Sequence, residues 1–140
     1  MKTLSAIVVF LIAFSSVNAQ DNTSKADSLQ KVLASVGKND TTAQYSLFKQ
    51  LYDIYIIDDL PAALSIAQKQ YLLAKNQNDI TREGEAAGWL GNTYYGQGKN
   101  DSSLFFLNKA LESYRIKPDK EKEADILNNI ANVFRVTARY

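Results

Sequence analysis

Trp89-Leu-Gly-Asn-Thr-Tyr-Tyr-Gly-Gln-Gly-Lys-Asn-Asp-Ser-Ser-Leu-Phe-Phe-Leu-Asn-Lys-Ala-Leu-Glu112 carries two runs of helical periodicity around a polar, glycine-containing break. Its first part places Leu90, Gly91 and Tyr94 on one helical face, and its second does the same with Ser103, Ala110 and Leu111. Between them Gly98 suits a left-handed residue just past a helix end, and Asn100-Asp101 can cap a segment that opens at Ser102. The stretch therefore predicts two helices joined by a few polar residues. Such a short connection makes them antiparallel neighbours. Gly91, Ser103 and Ala110 are small where the two helices must approach.

The same reading extends outward. Helical periodicity predicts segments at 41–57, 60–76, 80–96, 102–115 and 119–138, each separated by a few polar residues. Asp59 precedes Leu60-Pro61, where its carboxylate can accept from free first-turn amides and Pro61 forfeits no hydrogen bond. Pro118-Asp119 opens the last segment with a proline and a negative charge. Ahead of these helices, residues 20–25 are polar. Ala26, Leu29, Val32, Leu33 and Val36 then form an apolar stripe that ends near Gly37 and gives residues 20–40 the character of a polar segment and a capping helix.

Superposing Leu51-Tyr52-x-x-Tyr55, Leu90-Gly91-x-x-Tyr94 and Ile130-Ala131-x-x-Phe134 shows three copies of one pattern, evenly spaced along the chain. Residues 89–112 closely resemble a tetratricopeptide repeat (TPR), whose packing positions fall on Leu90-Gly91, Tyr94, Gly98 and Ala110-Leu111. The resemblance divides residues 41–140 into repeats at 41–78 and 79–117 and an incomplete one at 118–140. It implies an all-α fold of antiparallel helical hairpins stacked as a right-handed solenoid. Because the spacing is longer than is usual in that family, it also implies longer helices or longer connections. In that family the first helices line an inner face that holds peptides or protein segments. On this chain the candidates are Lys49, Asp53 and Ile56, then Glu85, Asn92 and Tyr95, then Asn128, Asn132 and Arg135. Asn92 and Asn132 occupy equivalent positions, from which their amides could bracket an extended backbone. Lys49 and Arg135 could receive a carboxylate.

Composition narrows the function from the other side. The 140 residues carry 16 Lys and Arg against 15 Asp and Glu, so there is no cationic surplus to hold nucleic acid. With neither His nor Cys, the usual neutral-pH base, the thiolate nucleophile and the common zinc ligands are all missing. The acids at Asp58-Asp59 and at Glu121, Glu123 and Asp125 lie at helix ends, where electrostatics already favours them, and none comes with a partner base. The expectation is therefore a non-enzymatic chain with no catalytic residues, no metal and no cofactor.

Met1-Lys2, the apolar run from Leu4 to Phe14, and Ser15 to Ala19 together read as a secretory signal peptide at residues 1–19, cleaved after Ala19. The run is shorter than a bilayer-spanning helix. The chain is thus expected to be exported to the periplasm or the medium, with membrane attachment only through a part C-terminal to it. An alternative, drawn from architecture, is the extracytoplasmic sensory portion of a membrane signalling protein. In the last helix Ile126, Leu127, Ile130, Val133 and Phe134 are apolar. One side of this stripe is expected to stay exposed, with parts of Ile126, Val133 and Phe134 available for self-association through helix 119–138.

Overall fold

The structure is a computed structural model that describes residues 21–138, which are helical with no strand among them. The secretory leader read at residues 1–19 lies outside the described residues. Residues 21–35 form α1. It is followed by α2 (Thr41–Asp58), α3 (Leu60–Asn76), α4 (Ile80–Gly96), α5 (Asn100–Ile116) and α6 (Lys120–Thr137).

An even rhythm governs the last four helices, which open at Leu60, Ile80, Asn100 and Lys120. The three that end at Asn76, Gly96 and Ile116 each have 17 residues and are followed by a three-residue connection. The long sequence spacing therefore comes from the helices; the connections stay minimal. Aspartates set most of the starts. Asp40, Asp59 and Asp79 accept backbone N–H bonds from Ala43, Ala62 and Arg82 at 3.0 Å, and Asp119 accepts from Lys122 at 3.1 Å. The start of α5 differs from the expected one: the helix opens at Asn100 instead of Ser102, and its capping position is Lys99, which makes no side-chain cap bond. The stops are equally local. Asn78 (φ 54°) and Gly98 (φ 72°) take the left-handed conformation one residue before the next cap. The N–H groups of Asp79 and Lys99 then reach back to the carbonyls of Ala74 and Tyr94 at 2.9 Å.

Two compact units divide the chain, one through Ile54 and one from Tyr55 onward. In the first, Ala26 on α1 and Tyr45, Leu47, Phe48, Leu51 and Tyr52 on α2 are buried. The Gln44 amide donates to the carbonyls of Gly37 and Lys38 at 3.0 and 3.2 Å and so fixes the turn before α2. Helical structure is already present at residue 21, within the stretch expected to be a polar lead-in. Val32 stands outside the apolar stripe, 49% exposed.

In the second unit the core is Ala87, Leu107, Ala110, Leu111, Tyr114, Ile126 and Val133, with Tyr71, Leu104 and Ile130 packed against it. Glycines set how closely α4 approaches its neighbours. A Cβ at Gly84 would stand 2.7 Å from Ser113 Cβ, and one at Gly91 would stand 2.6 Å from Leu107 Cγ. As numbers rise along α4 they fall along α5, so the two helices run antiparallel. The pairs Gly96 with Leu60 and Glu85 with Gln70 give the same sense for α3 and α4. Helix α6 behaves differently toward α4. Gly88 approaches Ile126, and Asn92 meets Asn129, so α4 and α6 run in the same direction. The expected exposure of Ile126 and Val133 is corrected: both are buried in the core, while Leu127 and Phe134 face out.

Candidate functional site

The parallel approach of α4 and α6 brings side chains from the two helices onto one surface. Asn129 donates its side-chain N–H to the Asn92 side-chain carbonyl at 3.0 Å. Arg135 donates to the Asn132 carbonyl at 3.2 Å, one turn further along α6. Asn92, Tyr95, Leu107, Asn129, Asn132 and Val133 line a recess of about 30 Å³. That volume admits a water-sized group and is roughly a tenth of what a small-molecule pocket needs. The floor is apolar, supplied by Leu107 and Val133, and the rim is amide and phenol.

Of the candidates read from the sequence, the structure gathers Asn92, Tyr95 and Asn132 around this recess and places Arg135 beside Asn132. Asn128 is not among them; it is exposed and does not line the recess. Lys49 and Asp53 lie on α2, in the first unit, and pair with each other at 2.9 Å, both more than half exposed. The Lys49 ammonium thus already has a carboxylate partner, which weakens its candidacy as a carboxylate receiver. Ile56 is half-buried. Glu85 is held between Gln70 at 3.1 Å and Arg82 at 3.0 Å. Gln70 is fully buried, so this carboxylate ties α3 to α4.

No protein-family model matches the chain, and no curated protein matches it.

Asn129 is the member that sequence reasoning missed. Repeat equivalence pairs Asn92 with Asn132, but the contacts pair Gly88 with Ile126 and Asn92 with Asn129. Helix α6 is thus displaced along α4, by less than one helical turn, from the register that equivalence implies. A search for partners slightly short of the repeat length would have found Asn129.

Charges at the start of α6 are engaged in fixing helices. The Glu123 carboxylate accepts from Lys120 at 2.8 Å and Arg115 at 3.3 Å, and these bonds lower its pKa. Burial, reinforced by the Glu85, Asp119 and Asp125 carboxylates, pushes the Tyr114 hydroxyl well above its ordinary range. Tyr71 is raised as well, by burial first and then by Glu83. Both phenols are therefore neutral, and neither is an acid or base at physiological pH. Among the described residues no group of three acidic side chains is arranged to hold a metal ion, and no helix is long and apolar enough to cross a membrane.

Proposed function

We propose that the chain is a non-enzymatic, exported TPR-type interaction module that holds an extended peptide or protein segment on the surface shared by α4 and α6. In this reading residues 41–78 and 79–117 are two stacked hairpins, and α6 is the first helix of a third, in a right-handed solenoid. The even rhythm of helix starts and the antiparallel, glycine-mediated contact of α4 with α5 support it. So does the parallel run of α4 and α6, one repeat apart. Export rests on the leader read at residues 1–19.

The observation that carries the binding site is the row of amides at Asn92, Asn129 and Asn132 beside a recess too small for a metabolite. The Asn92 and Asn132 carbonyls already accept from Asn129 and Arg135, so it is the side-chain N–H groups of Asn92 and Asn132 that are offered to the carbonyls of an extended backbone. Tyr95, 36% exposed at the rim, adds an aromatic face for an apolar side chain. The test is enrichment of a random-sequence peptide library on the immobilised protein. The binders are then measured against Asn92→Ala and Asn132→Ala, singly and together. Loss of one charge-free backbone contact is worth about 1 kcal/mol, so the double variant should bind at least about tenfold more weakly, while its melt stays cooperative and drops only by the loss of the Asn129–Asn92 bond. Binders whose affinity ignores both substitutions would place the peptide surface elsewhere.

A further inference from the structure

We infer that α6 is a dimerisation helix, whose outer stripe pairs antiparallel with the same stripe of a second copy of this chain. The stripe is Ala124, Leu127, Ala131, Phe134 and Ala138, all exposed, with Leu127 at 45% and Phe134 at 57%. The spacing alternates three and four residues, which is the seam of a helix pair and lies apart from the core-facing Ile126, Ile130 and Val133. Within the same protein an equivalent seam is already occupied. Gly84, Ala87, Gly91 and Tyr94, one repeat earlier, are the positions by which α4 receives α5, and Tyr94 stacks on Phe106 with ring centroids 5.6 Å apart.

Self-pairing is favoured by two properties of the stripe. The first is size. Small residues recur every seventh position and large ones lie between them, so an antiparallel copy sets Ala124 against Phe134 and Leu127 against Ala131, with Ala138 at the end of the seam opposite Lys120. Each large side chain meets a small one, as Leu107 meets Gly91 in the interior. The second is charge. Glu121, Asn128 and Arg135 recur at heptad spacing along the solvent edge of the stripe and are exposed. In the same antiparallel register Glu121 of each copy faces Arg135 of the other, and Asn128 lies on the two-fold axis beside its own image. The guanidinium that donates to Asn132 retains further N–H groups for that carboxylate. An isologous contact of this kind closes on itself and stops at two copies.

The experiment is sedimentation equilibrium of the full chain over a concentration series at low salt, with helicity followed by circular dichroism. A monomer–dimer equilibrium is expected. Ala131→Glu, at the exposed centre of the seam, should abolish the dimer without loss of helicity. Glu121→Arg and Arg135→Glu should each weaken it by about tenfold, because two exposed ion pairs are lost per dimer, and the double swap should restore it. A monomer at all concentrations would overturn the inference, as would a dimer indifferent to Ala131→Glu. So would a double swap no tighter than its single variants, or a monomer that co-purifies with a different helical protein on this face.

Discussion

Helices α4 and α6 present seams of the same spacing, yet one is covered and the other faces solvent. On α4 the seam reads Gly84, Ala87, Gly91, Tyr94; on α6 it reads Ala124, Leu127, Ala131, Phe134. Glycine occurs on α4 where a Cβ would press into Ser113 or Leu107, and alanine takes its place on α6. A periodic pattern in the sequence therefore specifies the surface a helix offers. Whether that surface is filled, and how closely, is encoded in the size of the residue at each contact.

The same side chain placed at both positions should have very different consequences on the two helices. Gly91→Leu drives a branched chain into the space of Leu107, whose backbone nitrogen is only 3.2 Å from the first added carbon. Overpacking should exceed the helix-propensity gain of leaving glycine, for a net loss of about 3 kcal/mol. Ala131→Leu adds the same chain to an exposed site and should leave the stability of the folded monomer within about 0.5 kcal/mol. Denaturant melts of the two variants, read at equal slope, give both numbers. Similar losses at both sites would mean that α4 and α6 do not differ in the way described.

A smaller effect probes the closed end of α4. Tyr114 packs 3.4 Å from where a Gly84 side chain would begin, whereas Ala124, the equivalent position on α6, is exposed. The hydroxyl has a raised pKa in the folded protein because of burial and nearby carboxylates. The unfolded chain ionises near pH 10 while the folded one holds its proton, so stability is intact below pH 10 and falls above it. The slope contributed by one tyrosine is at most about 1.4 kcal/mol per pH unit. Tyr114→Phe should flatten the alkaline loss by up to that amount and leave Tyr71 to supply the rest. An unchanged slope between pH 10 and 11 would show that Tyr114 ionises as freely in the fold as outside it.

The fold was legible wherever periodicity and breaks agreed. Asp59-Leu60-Pro61 and Pro118-Asp119 marked the starts of α3 and α6 because cap and proline coincide there. The start of α5 was misread for a physical reason. Asn100 and Asp101 are both good capping residues, but the left-handed Gly98 closes α4 so tightly that Lys99 already takes the cap, its carbonyl accepting from the Ser103 N–H at 2.9 Å. At the site, repeat equivalence found Asn92 and Asn132 and overlooked Asn129, because parallel helices touch with an offset that equivalence does not include. The apolar residues Ile126, Leu127, Ile130, Val133 and Phe134 cover so wide an arc of α6 that their spacing alone does not say which half turns inward. Packing of Ile126 against Gly88 decides it.

The finest contrast is between the starts of α5 and α6, and it predicts a gain. Lys99 occupies the position held by Asp59, Asp79 and Asp119, and its backbone (φ −87°, ψ 70°) is close to that of Asp79 (φ −89°, ψ 89°). A cap geometry is thus in place without a capping side chain, and a cation stands at the positive end of the helix dipole. The ammonium lies 5.8 Å over the Tyr94 ring, an exposed cation–π contact worth roughly 0.5 kcal/mol. Lys99→Asp gives up that contact, supplies an acceptor for the N–H three residues on, and reverses the charge at the dipole. The sum should stabilise the protein by about 1 kcal/mol. Asp119→Ala should lose about the same amount at the start of α6, where the Lys122 N–H would be left without its acceptor. Thermal melts of the two variants should move in opposite directions. If Lys99→Asp melts lower than the parent, the lysine contributes something at the α4–α5 turn beyond its ring contact, and the likeness of the two helix starts ends at the backbone.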